Sequence, residues 1–262
     1  MLKKIVLTAA MTLLAGQAFA DDKVYVIATD PNWPPMEYVS EDKEIIGYEI
    51  DLVKAVAEEM GIKVEIKNVM WDGLFAGLDV GRFDAVASTV SITDDRKKTM
   101  EFSVPILKFK QAVILSKDSE AKSVEDLKGL TIGAQVGTTG LFAIQRVDGV
   151  NSKSYDDVTM AVEAAYSGRT DGAVCDEPVA SNFIFKQKEY ADKLKVAFII
   201  EDAEVEECGI AFKKGNTELR DIFNEGIKRV REKGIDAELQ KKHFGEVLYE
   251  EDNGEEAKAE AN

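Results

Sequence analysis

Histidine occurs once in the 262 residues and cysteine twice. The lone His243 rules out a multi-histidine metal site and leaves little room for a serine or cysteine triad. No Cys-x-x-Cys pattern exists. Cys175 and Cys208 can be read as a disulfide, if the compartment is oxidising, or as two buried thiols, and their spacing does not decide. Positive charge is short, with 33 Lys and Arg against 49 Asp and Glu, a net of −16. Such a surface repels nucleic acid and anionic lipid, so neither is expected as a partner. Proline is scarce, and three of the five sit together in Asp30-Pro31-Asn32-Trp33-Pro34-Pro35. Beyond the first twenty residues no apolar run is long enough to span a bilayer.

Those twenty residues carry Lys3 and Lys4, an apolar run from Ile5 to Leu14, and the small-x-small ending Ala18-Phe19-Ala20. That pattern predicts a signal peptide over 1–20, cut near Ala20/Asp21, and a periplasmic address. No cysteine follows the cut, so no lipid anchor is expected.

Along the mature chain, hydrophobic period alternates between strand and helix, the mark of a parallel sheet covered by helices. Lys23 to Thr29 reads as a strand, and the proline cluster after it breaks regular structure. Gly47 opens a helix with Leu52, Val56 and Met60 on one face, closed by Gly61. Lys63–Val69 reads as a strand, Asp72–Val80 as a helix and Phe83–Ala87 as a buried strand. After Pro105, Ala112–Leu115 starts the pattern again. A capping box at Ser123–Asp126, a strand at Leu130–Ala134 and a helix from Leu141 follow. Gly81-Arg82-Phe83-Asp84-Ala85 and Gly168-Arg169-Thr170-Asp171-Gly172 look like copies, which argues for two lobes of similar build. Leu194–Ile200 and Cys208–Lys213 read as strands, and Thr217–Lys242 as helix interrupted at Gly234. From Tyr249 to Asn262 the chain is acidic and aperiodic, a disordered tail by composition.

Two strand-to-helix turns are candidate anion sites. In the first, Ser88-Thr89-Val90-Ser91-Ile92-Thr93-Asp94-Asp95-Arg96, Thr93 stands where an N-cap belongs. Arg96 either forks onto a carboxylate or merely pairs with Asp94 or Asp95. The second, Gln135-Val136-Gly137-Thr138-Thr139-Gly140, is a backbone cradle or a plain turn. Trp33 is a core residue or a rigid stacking wall. Asp176, at the end of a strand before Glu177-Pro178, reads on sequence alone as an N-cap.

Taken together, these stretches resemble the extracellular solute-binding proteins of ABC importers, in the family that takes up polar amino acids. The resemblance spans about Val24 to Gly245. It rests on Gly47-Tyr48-Glu49-Ile50-Asp51-Leu52, Gly81-Arg82-Phe83-Asp84-Ala85, Ser91-Ile92-Thr93-Asp94-Asp95-Arg96 with Phe102-Ser103, Asp126-Leu127-Lys128-Gly129, Gly137-Thr138-Thr139, Asp176-Glu177 and Gly209-Ile210-Ala211-Phe212, in order.

The resemblance implies an α/β, two-lobed periplasmic binding-protein fold of type II. Each lobe is then a mainly parallel sheet flanked by helices, and two crossing hinge segments join them. Lobe 1 takes residues 21–105 and 207–248, and lobe 2 takes 106–206. It further implies that Arg96, with Ser91 and Thr139, takes a ligand α-carboxylate, and that Asp176, with Ser88 or Thr89, takes the α-ammonium. Trp33 and Trp71 become aromatic walls, Asp30 meets the side-chain end, and Gln135 and Thr138 complete the pocket. Asp30 between two tryptophans favours a cationic ligand such as arginine, lysine, histidine or ornithine, with glutamine behind. The implied partners are a free amino acid and an inner-membrane ABC permease. The protein is expected to be a monomer with no cofactor, no metal and no catalytic residue. The rival is a cyclohexadienyl-dehydratase-like enzyme on the same fold, for which Glu177 is the nearest general acid.

Overall fold

In the computed structural model, residues 23–200, 205–246 and 248–249 are described. The expected signal peptide and the expected tail beyond Tyr249 lie outside them. The valine-rich β1 (Val24–Thr29) leads into a small antiparallel flap of β2 (Asn32–Trp33), β3 (Glu37–Val39) and β4 (Ile45–Ile46). The proline cluster, read above as breaking regular structure, thus holds a two-residue strand. Asn32 and Trp33 lie between the prolines and keep the N–H groups a ladder needs.

Gly47 then turns the chain at φ 135°, and a Cβ there would sit 2.2 Å from the Met36 carbonyl oxygen. Only glycine fits that approach. It lets α1 (Tyr48–Met60) donate its first two N–H groups to the carbonyls of Pro35 and Met36. The flap is therefore docked on the start of α1, with Glu37 of the flap and Glu49 of α1 both buried.

β5 (Lys63–Asn68), α2 (Trp71–Asp79), β6 (Ala85–Val86), α3 (Asp94–Thr99) and β7 (Met100–Phe102) follow. Of the strand expected over Phe83–Ala87, only Ala85 and Val86 are laddered to β1. β8 (Leu107–Phe109) then leaves for a second sheet made by β9 (Gln111–Ser116), β10 (Thr131–Gln135), β11 (Asn151–Tyr155), β12 (Gly172–Asp176) and β13 (Leu194–Ile199). Among these strands lie α4 (Thr139–Gln145), α5 (Val158–Tyr166), α6 (Glu177–Lys186) and α7 (Lys188–Ala191). The expected capping box closes only a 3₁₀ turn, Glu125–Leu127, with the Asp126 carboxylate accepting the Lys122 and Ser123 N–H groups.

β14 (Glu206–Cys208) returns beside β8, β15 (Ala211–Lys213) enters the first sheet, and α8 (Thr217–Glu232) and α9 (Ile235–Phe244) close the chain. The single strand expected over Cys208–Lys213 is split at Gly209 and Ile210, where the chain passes from the crossing pair to the sheet.

The first sheet has the order β5-β1-β6-β15-β7 and the second β11-β10-β12-β9-β13. Each has three parallel strands continued by two antiparallel pairings. This is the two-lobed α/β architecture, with β8 and β14 as the antiparallel segments that pass between the sheets.

Tyr48, Leu52 and Val56 of α1 share one core with Phe223, Ile227 and Val230 of α8, all fully buried. Each such side chain contributes about 1.5–3 kcal/mol by leaving water. The first crossing segment is tied down by Arg231, which donates to the Pro105 carbonyl at 2.6 Å and to Asp236 at 3.2 Å. The Tyr48 hydroxyl lies 2.8 Å from Asp236 Oδ1 and 3.0 Å from the Ile106 carbonyl.

His243 sits in the last turn of α9, stopped by left-handed Gly245, and its Nε2 lies 2.8 Å from Asp51. Cys175 and Cys208 are free, buried thiols. Tyr249, assigned above to the tail, is packed instead: its carbonyl accepts from Gln240 Nε2 at 2.7 Å, and Arg231 lies over its ring.

Candidate functional site

A narrow cleft lies between the two sheets, at the ends of β1, β10 and β12. All eleven residues singled out from the sequence line it: Asp30, Trp33, Trp71, Ser88, Thr89, Ser91, Arg96, Gln135, Thr138, Thr139 and Asp176. Glu37 lines it as well and was missed.

Arg96 is aimed into the cleft by its short helix. Thr93 caps α3, its hydroxyl accepting the Arg96 N–H at 3.2 Å. Asp94 and Asp95 pair with Lys97 and Lys98, so the local ion-pair alternative for Arg96 is taken by its neighbours. The guanidinium instead donates to the carbonyls of Ser91 (3.0 Å) and Gly137 (3.2 Å) and lies against the rings of Trp71 and Phe75. Gly137 holds a left-handed φ of 72°, which presents that carbonyl across the cleft. Burial lowers the Arg96 pKa, while Glu206 and Asp176 support its charge.

Asp176 ends β12 but makes no side-chain cap on α6, so the N-cap reading fails. Its carboxylate accepts from Gln111 Nε2 (2.7 Å) and, across the cleft, from Trp33 Nε1 (2.9 Å). Trp33 is thus a donor into the site as well as part of its wall. Burial, then the nearby Glu206, push the Asp176 carboxyl up to about 7. Gln111 also donates to Glu206 Oε1 at 3.0 Å, which leaves its own Oε1 and Glu206 Oε2 buried without a partner.

Asp30, at the end of β1, accepts from Asn32 (2.8 Å) and from Gln135 across the cleft (3.0 Å). Burial raises its pKa against these bonds. Ser91 and Thr139 bring their hydroxyls to 3.3 Å of each other. Thr138 uses its hydroxyl locally, donating to the Gln135 carbonyl and capping α4.

Ser88 and Thr89 face a carboxylate that the sequence reading overlooked. Ser88 Oγ donates to Glu37 at 3.4 Å and Thr89 Oγ1 at 3.0 Å. Thr89 occupies the left-handed region at φ 47°, unusual for a β-branched residue, and its N–H is held by Glu49 at 2.6 Å. Glu49 therefore fixes the turn that carries both hydroxyls. Neither glutamate is distinguishable by pattern: Glu49 suits a helix dipole, and Glu37 follows the proline cluster.

The cleft thus sets the carboxyl groups of Asp30, Glu37 and Asp176 around a single guanidinium, that of Arg96. No group of three or more His, Cys, Asp or Glu able to hold a metal ion occurs among the described residues. Glu177, the candidate general acid, is exposed and lines a separate groove with Lys108 and Phe109.

Two lobes with a polar, water-shielded cleft between them define a solute-binding protein. Residues 25–246 match the model of the bacterial extracellular solute-binding proteins, family 3, and the chain belongs to that family. It is 31% identical to a probable histidine-binding protein of Neisseria gonorrhoeae, over 88% of this chain and 86% of the relative. It is 29% identical to the L-cystine-binding protein TcyJ of Escherichia coli, over 90% of this chain and 92% of the relative. Among solved structures, the arginine-, lysine-, histidine-binding protein ArtJ of Geobacillus stearothermophilus superposes with a TM-score of 0.79 at 32% identity, covering 88% of this chain and 98% of its own. No helix among the described residues is long and apolar enough to cross a membrane.

Proposed function

We propose that the cleft binds a free L-amino acid with a second cationic group, such as arginine, lysine or histidine, and hands it to an ABC importer. The observation that carries this reading is the excess of buried carboxylates over the one guanidinium. Arg96, with Ser91 and Thr139, receives the α-carboxylate. Asp176 receives the α-ammonium, and Asp30 with Glu37 the side-chain cation, between the faces of Trp33 and Trp71. Each charge-assisted bond is worth roughly 1.5–3 kcal/mol. Ligand groups replace the bonds Trp33–Asp176 and Gln135–Asp30, which already join opposite walls. Because the receptors belong to different lobes, ligand favours the closed arrangement. Lobe 1 comprises residues 21–105 and 207–248 and lobe 2 comprises 106–206. The chain is exported by cleavage after Ala20, acts as a monomer in the periplasm, and delivers its ligand to an inner-membrane permease without catalysis.

L-cystine is the second reading, favoured by the relative named for it and by the same chemistry, since its second ammonium meets Asp30 and Glu37. Thermal unfolding with a panel of arginine, lysine, histidine, cystine, glutamine and glutamate separates these. Stabilisation by the first three supports the proposal, stabilisation by cystine alone selects the second reading, and no shift counts against both. Incubation with prephenate or arogenate should give no aromatic product.

A further inference from the structure

Glu37 and Glu49 are both fully buried and share one hydroxyl. Thr89 Oγ1 lies 3.0 Å from Glu37 Oε2 and 3.3 Å from Glu49 Oε2. A hydroxyl has a single proton, so it serves one carboxylate at a time. The remaining donors are the Thr89 N–H to Glu49 and the Ser88 hydroxyl to Glu37. Glu49 Oε1 has no partner in this arrangement and is buried.

The charged and titratable groups facing the pair do not help it. Asp30 from β1 and Asp176 from β12 act on Glu37 with the same sign of charge, and Cys208 from β14 lies close by as a neutral thiol. Arg96 is engaged with Ser91 and Gly137. The single histidine, His243, is at Asp51. Two fully buried carboxylates held on one hydroxyl do not both ionise.

Resting on the amino-acid reading above, we propose that Glu37 and Glu49 share one proton, and that a cationic ligand side chain arriving at Glu37 expels it. Glu49 is a positioning residue: it touches no ligand, but it sets how much negative charge Glu37 can show. A neutral side chain gives the pair no reason to release its proton. A cationic one substitutes for the proton, so discrimination between the two kinds of ligand grows with pH. Burial pushes Glu37 upward, and Glu49 to about 7, so the exchange falls in the neutral range.

Asp176 is also held up, to about 7, and meets the α-ammonium of every amino acid. Its proton release is therefore common to all ligands and cancels in a comparison of two. The experiment is calorimetry of arginine and of glutamine at about pH 6, each in buffers of different ionisation enthalpy. Arginine should release up to about one proton more than glutamine, and the ratio of their affinities should rise by up to about tenfold per pH unit between about pH 5.5 and 7.

Glu49→Gln keeps an acceptor for the Thr89 N–H and gives Glu37 a permanent donor. In it the extra proton should disappear and the affinity ratio should become flat with pH. A purely structural role for Glu49 would lower both affinities and leave the pH profile unchanged. Should Glu49→Gln fail to fold, Asp30→Asn serves as the second variant, and there the extra proton should persist. Equal proton release for arginine and glutamine in the wild type overturns the exchange and leaves the amino-acid reading standing. Survival of the extra proton in Glu49→Gln, or its loss in Asp30→Asn, overturns it too. Absence of binding by every cationic amino acid removes both.

Discussion

Asp176→Asn should stabilise the protein without ligand while removing its ability to bind one. Asp176 is nearly inaccessible, with 5% of its surface exposed. Its carboxyl titrates near 7 instead of an ordinary 3.8, because burial and Glu206 oppose ionisation. The gap corresponds to at most about 4 kcal/mol.

The sign follows from proton counting. Between the two values the folded chain holds a proton that the unfolded chain has lost, so stability falls as pH rises from about 4 to 7. Above 7 the full cost is felt, and below about 4 it vanishes. The amide substitution removes that cost but accepts on one oxygen only, while Trp33 Nε1 and Gln111 Nε2 both donate to the carboxylate. The lost bond takes back about 1–2 kcal/mol. A net gain of about 1–3 kcal/mol remains at pH 8, or about 3–9 °C in Tm for a chain of this size.

Paired thermal melts of wild type and variant at about pH 8 and about pH 4.5, with and without arginine, read this out. The gain should be present at the higher pH and absent at the lower. Arginine should raise the Tm of the wild type only. A variant less stable than wild type at pH 8 would refute the claim that ionised Asp176 is held at a cost, and a retained arginine shift would refute its role as the ammonium receptor.

Arg96→Ala should weaken every amino acid alike, by about 10²–10⁴ for two charge-assisted bonds, and Arg96→Lys should fall between, since a point charge replaces the fork. Calorimetry showing unchanged affinity in Arg96→Ala would remove the residue from the site. Asp30→Asn should weaken arginine and lysine about tenfold more than glutamine, and equal losses would contradict its placement at the side-chain end. Tyr48→Phe, at a residue that does not line the cleft, should cost about 1–2 kcal/mol in a urea melt by depriving buried Asp236 of a partner, with ligand affinity unchanged.

The elements with local signals were legible in the sequence. Thr93 announces the cap of α3, Gly61 and Gly245 the ends of α1 and α9, and Gly234 the break between α8 and α9. Arg96 could be singled out but not aimed, because its choice between Asp94, Asp95 and the cleft depends on Lys97 and Lys98 having claimed those aspartates. Asp176 reads as an ordinary cap until the second sheet is closed and Trp33 is brought across from the flap. Glu37 and Glu49 were invisible for a related reason. Glu49 lies between buried Tyr48 and Ile50 in the first turn of α1, where an acid is expected to face water and suit the dipole. What buries it is the flap, which docks there through the Pro35 and Met36 carbonyls, a contact no helical period records. The split of Cys208–Lys213 likewise depends on two separate partners, β8 for its start and the first sheet for its end.

Calorimetric titration of the protein with L-arginine, set beside L-glutamate, tests the central claim most directly. One site per chain, with arginine bound at least a hundredfold more tightly than glutamate, is the predicted result if Asp30 and Glu37 meet the ligand side chain as proposed, at roughly 1.5–3 kcal/mol for each charged contact. Glutamate binding as tightly as arginine would contradict it.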